Sequence, residues 1–410
     1  MAGERTPRQS VLGPKGATVI LLPVPEAQAR LLSLASERPI VELPLREAAG
    51  RWAARDVTAR RTQPAQDLSA MDGYAIRFQD MPGPWTVIGE SAAGRPFGSS
   101  VERGQATRIF TGAALPQGTD TVLIQEEAGR DGAALTLAGE GPGHRGRNVR
   151  RRGLDFSEGV TLIAAGQRLT AARIAVAATG GHATLPVRPT VRVAIAATGD
   201  ELVPPGSADP AALPESNGVM LAAMLGDLPV EIIDLGILPD DLDKLRDAFA
   251  AVEADLLVTT GGASVGDHDL VQPALKAAGG SVDFWRIALR PGKPMMAGRL
   301  GQTVVLSLPG NPVSAFVTTT LFVRPLIAHL AGAADPLPKP IPAVLGEDLP
   351  ANGPRIDYLR AAMIDGRVHA AAIQDSSMLL TLARSTCLIV RPPHAPAAAM
   401  GDSAEILMLA

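Results

Sequence analysis

From residue 189 onward the chain alternates short apolar runs with amphipathic stretches, and this alternation leaves few folds open to it. The runs at 191–197, 230–235, 255–260, 282–289 and 303–308 are bounded by turn residues and read as buried strands. Helical stretches fall between or after them, at 218–227, 241–252, 270–278 and 312–330. In the second, Leu242, Leu245, Phe249 and Val252 recur at the three-to-four spacing of one buried face. In the fourth, Asn311 is placed to cap the helix and Pro312 to open it. A largely parallel sheet covered by helices follows, giving a three-layer α/β domain.

In such a sheet, ligands bind in the crevice beyond the carboxyl ends of the strands. Each of the five strands is followed there by a polar motif: TGDE (198–201), PDD (239–241), TTGGASVGDHD (259–269), RPGKP (290–294) and LPGNP (308–312). Together they gather the carboxylates of Asp200, Glu201, Asp240 and Asp269 and the cations of Arg286, Arg290 and Lys293. A site with both signs of charge suits a phosphorylated ligand with a bridging Mg²⁺. In the 259–269 loop, glycines let backbone N–H groups approach an anion, and a helix start attracts one. The same loop also reads as a Gly-rich turn with Asp269 as cap and Pro273 in the first helical turn. Asp240 is equally open to a capping role, Asp200 and Asp267 to turn roles, and Arg286 to a surface ion pair. His268, between two aspartates, reads as a solvated loop residue.

The remainder divides by pattern. Residues 1–16 read as a loose leader, 26–38 as a helix, and 46–57 as a second helix weakened by Gly50. QPAQDLSAMDGYA (63–75) is a polar loop ending in a tight Asp-Gly turn. Short β-like runs between Gly and Pro then fill 85–137, the pattern of a small β domain. HRGRNVRRRG (144–153) holds five arginines, and by itself reads as a solvated basic turn. Residues 169–181 read as a helix capped by Thr170. Four units result: a discontinuous helical elongated domain (17–62 and 145–188), an inserted small β domain (63–144), the α/β domain (189–334) and, after the linker DPLPKPIP, a C-terminal β barrel or sandwich (335–410).

Composition narrows the function. A net charge of −4 argues against nucleic acid as the partner, and 3% aromatic residues offer little for base stacking. The single cysteine, Cys387, sits in a probable strand and reads as a buried small residue. No secretory signal is visible and no apolar run is expected to span a membrane; 318–334 is broken by Arg324, Pro325 and His329. A cytoplasmic protein is expected.

The motifs taken together resemble one family, the molybdopterin molybdenumtransferases, which include bacterial MoeA proteins and the gephyrin E domain. The resemblance runs through PAQDLSAMDGYA (64–75), SAAG (91–94), RIFTGAALPQGTDTVLIQE (108–126), NVRRRGLD (148–155), TGDEL (198–202), SN (216–217), TTGGASVGDHD, RPGKP and LPGNPVS (308–314). It implies insertion of molybdate into adenylylated molybdopterin with release of AMP, a Mg²⁺ requirement, and a homodimer whose site lies between the α/β domain of one subunit and the β region of the other. It implies catalytic roles for Asp67, Thr111, Arg150, Asp155, Asp240, Arg286 and Arg290, with Asp67 and Thr111 reaching in from the partner subunit. Gly261, Gly262, Ser264, Lys293 and Asn311 become substrate-binding residues, and Glu201, Asp240 and Asp269 metal ligands. Ser376 and Ser377 match a serine-containing segment more loosely. Contacts with other cofactor-biosynthesis proteins are implied too. The chain departs from the pattern in two places: Arg286 and Arg290 stand where bacterial relatives commonly carry Lys, and Leu154 replaces the Glu of a GED triplet. Two other readings remain beside the transferase, a molybdopterin adenylyltransferase and a non-catalytic cofactor-binding scaffold.

Overall fold

The structure is a computed structural model that describes residues 9–12, 18–36, 38–207, 209, 211–262, 270–292 and 294–409. At its centre is a six-stranded sheet in the order Val230–Leu238, Val191–Thr198, Leu256–Thr260, Thr303–Leu308, Met296–Leu300 and Ser281–Trp285. The first four strands are parallel. The last two pairings are antiparallel, so the sheet is mixed at one edge.

Strand periodicity explains the layers. Val193, Ile195, Leu256, Val258, Val304 and Leu306 share one core with Leu221, Leu225, Val317 and Leu326. Their strand neighbours Ala194, Leu257 and Val305 share the opposite core with Leu245, Phe249, Val271 and Leu275. Successive side chains therefore enter opposite faces, and both faces are dry. The helix Val24–Leu34 belongs to the first of these cores through Val24, Ala27 and Leu31. Gln28 Nε2 donates to Leu321 O at 2.9 Å. Its apolar stripe thus covers this sheet rather than the elongated domain expected for 17–62.

Three further expectations are corrected. The predicted strand 282–289 is split: Arg286 takes φ +71, and Leu289–Arg290 pairs with Ile356–Asp357 instead. Because Trp285 pairs with Met296 and Met296 with Ser307, the intervening loop still opens on the carboxyl edge. The predicted helix 46–57 is only Leu45–Ala48. Gly50 turns at φ +79, and Trp52 and Ala53 bridge to Arg168 and Val187. Its alanines imitate a helix, but Ala48 and Ala53 fill the core of a unit built largely from strand pairs, Val41–Pro44 with Thr184–Val187 and Val57–Thr58 with Thr161–Ile163, while Trp52 joins the core of the central sheet. Within the leader, Gln9–Leu12 pairs antiparallel with Thr18–Leu21; the rest of 1–16 lies outside the described residues.

Pro312–Leu330 is long and apolar enough to cross a membrane, contrary to the sequence expectation, yet it is mostly buried. It is a core helix against the central sheet. Its middle, Thr319–Val323, widens into a π turn. Just before it Thr318 Oγ1 donates to Ser314 O, and within it Thr320 Oγ1 donates to Phe316 O.

The inserted β unit is one six-stranded sheet, with Trp85–Ser91 and Gln105–Ile109 its only parallel pairing. The C-terminal sheet runs Leu289–Arg290, Ile356–Ile364, Cys387–Arg391, Ser403–Met408, Ile341–Val344, with Arg367–Ala370 pairing beside Ile356–Ile364. Cys387 is buried there, and burial pushes its thiol up.

Candidate functional site

A cavity of about 610 Å³ opens at the carboxyl edge of the central sheet. Thr198 ends the central strand at its floor, and the chain turns at Gly199, φ +144. A Cβ there would lie 2.5 Å from the Glu201 carboxylate, so a glycine is what lets that carboxylate fold back over the turn. Asp200 Oδ1 accepts the Asp240 N–H at 3.1 Å and ties the loops after neighbouring strands together. Asp241 caps the next helix, accepting the Lys244 N–H at 2.9 Å. Asp240 is thus released from the capping role and lines the cavity with Glu201.

Two helices begin at the same wall. Asn217 opens Asn217–Leu225, and its Nδ2 donates to Gly310 O at 2.7 Å. Glu215 Oε1 accepts the Gly218 N–H at 2.7 Å. Gly310, Asn311 and Pro312 bring the start of the 312–330 helix to the cavity. Helix starts carry partial positive charge, so the cavity offers attraction for an anion beside the Glu201 and Asp240 carboxylates, which are able to take a cation; Glu215, which also lines it, is engaged by the Gly218 N–H.

Several predicted residues do different work. Gly261 donates its N–H to Leu308 O at 3.2 Å, so that donor is engaged and not free for phosphate. It sits at φ +92 with Thr198 O 2.5 Å from where a Cβ would be; Gly262, at φ +60, packs against Val271. Asn311 occupies the cap position without capping. Its Nδ2 donates instead to Ser376 Oγ at 2.9 Å, and Val313 N–H donates to Ser376 O at 3.1 Å. Ser377 lines the cavity, so the C-terminal unit supplies part of its wall. Ser264, Lys293, Asp269, Asp267 and His268 lie outside the described residues, and the described residues hold no cluster of three metal-ligating side chains.

On the loop expected to supply cations, Arg290 Nη2 lies 2.6 Å from Asp357 Oδ2. Burial pushes the Asp357 carboxyl up, and Arg290 and then Arg355 pull it only part of the way back. Arg286 makes no ion pair among the described residues, and neither arginine lines the cavity.

Asp67, Thr111, Arg150 and Asp155 form a second group on the inserted unit, and none of them lines the cavity. Leu68–Ser69 pairs with Val149–Arg150 and Leu68 bridges to Ala114, which brings the 64–75, 108–126 and 148–155 motifs together. Burial alone would raise the Asp67 carboxyl, but the Arg152 N–H at 2.8 Å and the Arg151 guanidinium at 2.5 Å outweigh it and hold it low. Thr111 donates both its N–H and its hydroxyl to Asp72 Oδ1, each at 2.8 Å, and these bonds hold Asp72 low. Asp155 donates its N–H to Gln63 O.

The basic run is not simply solvated. Arg145 pairs with Asp120, Arg151 with Asp67, and Arg152 Nε donates to Ala65 O. Arg150 is exposed and its side chain has no partner among the described residues. Sequence reasoning missed Asp72, Arg151, Asn217 and Asp357 as partners, since each acts through a contact distant in the chain. The tight turn at Asp72-Gly73 and the SN pair were the only local signals.

Comparison with known proteins covers most of the chain. Residues 22–181 match the MoeA N-terminal region (domain I and II), 194–329 the probable molybdopterin binding domain, and 342–409 the MoeA C-terminal region (domain IV). The chain is 35% identical over 375 residues to the molybdopterin molybdenumtransferase of Haemophilus influenzae, covering 89% of this chain and 92% of that one. It is 36% identical over 342 residues to molybdopterin molybdenumtransferase 2 of Mycobacterium tuberculosis, covering 80% and 84%. The crystal structure of the molybdopterin biosynthesis moeA protein from Pyrococcus horikoshii superposes with a TM-score of 0.81 at 27% identity, over 95% of this chain and 100% of that one.

Proposed function

The chain belongs to the MoeA family of molybdopterin molybdenumtransferases, and from that premise we propose that the sheet-edge cavity is where it transfers molybdenum from molybdate to adenylylated molybdopterin, releasing AMP. One observation carries this placement: Glu201, Asp240 and two helix starts share one cavity inside the 194–329 match. Molybdate is the anionic substrate and the adenylylated pterin the phosphorylated one.

Glu201 and Asp240, with Asp269, are the residues that would hold Mg²⁺. The hard carboxylate oxygens of Glu201 and Asp240 on one cavity fit that ion. Bound there, it would draw charge from the phosphoryl oxygens and make AMP a better leaving group. The helix starts at Asn217 and Pro312 orient phosphate or molybdate oxygens, and Arg286, Arg290 and Lys293 are read as the fixed positive charges that meet the substrate's anionic groups. Asp357 sets the guanidinium of Arg290 by its 2.6 Å contact. The inserted β region and the C-terminal match favour the transferase over an adenylyltransferase built on the α/β unit alone. The C-terminal sheet is read as a small barrel, on the support of a bridge from Leu345, just past Ile341–Val344, to Val368 of Arg367–Ala370. A cytoplasmic setting is part of the same reading.

The chain acts as a homodimer in this reading, because Asp67, Thr111, Arg150 and Asp155 do not line their own chain's cavity. Mixing an inactive Asp67→Asn chain with an inactive Glu201→Gln chain should then restore about a quarter of wild-type activity, from the one intact composite site in each mixed dimer. No restoration, with mixed dimers formed, would place each site within one chain.

Alanine substitution separates the arginines. Arg150→Ala should cut turnover by about tenfold or more with unchanged thermal stability, since an exposed side chain without partners contributes little to folding. Arg151→Ala should instead weaken folding by leaving Asp67 without its ion pair. Equal, small effects at both would leave Arg150 a solvated residue.

A further inference from the structure

We propose that Arg360 is a positioning residue for the sheet-edge cavity, its buried guanidinium holding the 373–378 turn so that Ser376 stays tied to the 312–330 helix start and Ser377 stays fixed as cavity wall. This rests on reading that cavity as the substrate site.

Arg360 lies on the strand Ile356–Ile364 and is 1% exposed. Among the described residues it forms no ion pair; its charge is placed on two carbonyls. Nη2 donates to Ile373 O at 3.1 Å and Nη1 to Met378 O at 3.0 Å. Burial lowers the guanidinium from its ordinary value, with Asp375 pulling the other way. A desolvated cation without a contacting carboxylate is costly, so its bonds must do something a neutral side chain would not. The planar fork does so here. It spans the two ends of one turn, a geometry that lysine's single ammonium cannot reproduce. Gln374 closes the clip, accepting the Arg360 N–H at 3.0 Å and donating Nε2 to Arg360 O at 2.9 Å.

Between the clipped ends, the polar groups bond to one another or to the α/β unit. Asp375 Oδ1 accepts the Ser377 N–H at 2.9 Å and hydroxyl at 2.6 Å. Ser376 takes the Asn311 amide and the Val313 N–H, an orphan donor of the helix start that lines the cavity. Ser377 and Leu379 complete the lining. A rigid path therefore runs from the Arg360 guanidinium to the cavity wall, with no side chain of Arg360 in the cavity itself.

The test is steady-state AMP release by the full-length protein, varying adenylylated molybdopterin and molybdate separately. Asp375→Ala, at the exposed tip, loosens the turn without touching the core. It should raise KM for at least one substrate by about tenfold, through loss of the two bonds that Asp375 accepts from Ser377, with unchanged Tm. Arg360→Lys should fall between wild type and Arg360→Met. Asn311→Ala detaches the same wall, so the Arg360→Met/Asn311→Ala double variant should raise KM no more than the stronger single change. Wild-type KM in folded Asp375→Ala and Arg360→Lys, or full additivity in the double variant, would overturn the proposal. If Arg360→Met does not fold, the other two single variants still decide it. Glu201→Gln in the same assay separates the two failures: if it is inactive while the Arg360 and Asp375 variants keep wild-type KM, only the positioning role falls. If Glu201→Gln is fully active, the cavity itself is misassigned.

Discussion

Glu201→Gln should slow AMP release by about 100-fold while moving Tm by no more than about 1 °C. The side chain is exposed on the cavity, its carboxylate folded over Gly199 rather than built into a core. Gln keeps the shape and removes the charge, and a neutral amide oxygen is a poor ligand for a hard divalent cation. The loss should therefore be in turnover and in the Mg²⁺ dependence, not in folding. Asp240→Asn should behave similarly, because Asp241, not Asp240, caps the following helix. Normal turnover by Glu201→Gln at ordinary Mg²⁺ would remove Glu201 from the metal site.

The second large effect is structural. Gly261→Ala should destabilise the α/β unit by about 3 kcal/mol or more, from about 1–2 kcal/mol of left-handed backbone penalty plus a collision. At φ +92 a Cβ meets Thr198 O at 2.5 Å, and that atom is backbone of the buried inner strand Val191–Thr198, which cannot swing aside. At roughly 2–4 °C per kcal/mol, Tm of this unit should fall by about 6 °C or more. Gly301→Ala is the matched control: its φ is also left-handed, +59, but nothing lies within 4 Å of the added Cβ, so it should cost less. Equal costs at the two sites would show that the close approach of Gly261 to Thr198 does not matter.

The parallel strands were legible because each is a short apolar run that must be dry on both faces, and their polar ends therefore had to collect on one edge. Met296–Leu300 was not: after the proline loop, its Gly298 and Arg299 break any strand-like pattern, although Gly298 lets the neighbouring strand Ser281–Trp285 approach closely. The run 282–289 looked continuous because Ile287 to Leu289 stay apolar; only the positive φ of Arg286 diverts them to the C-terminal sheet. Residues 46–57 misled for a similar reason, since alanine suits both a helix and the tight core formed by Ala48 and Ala53. At the site, Glu201 and Asp240 were readable from their loops. The partners that fix the arrangement were not. Asn311 looks like a cap until Ser376, 65 residues on, takes its amide, and Asp67 looks free until Arg151, 84 residues on, engages it. Such pairings depend on which units pack together, which no local pattern encodes.

The most direct measurement is a reaction of the purified protein with adenylylated molybdopterin, following AMP, pyrophosphate and molybdenum incorporation while molybdate, tungstate and Mg²⁺ are varied. AMP should appear in step with molybdenum bound to the pterin, should require molybdate and Mg²⁺, and should be accompanied by no pyrophosphate. Pyrophosphate formed from ATP and molybdopterin, or AMP released at the same rate without molybdate, would contradict the placement of molybdenum transfer at this cavity.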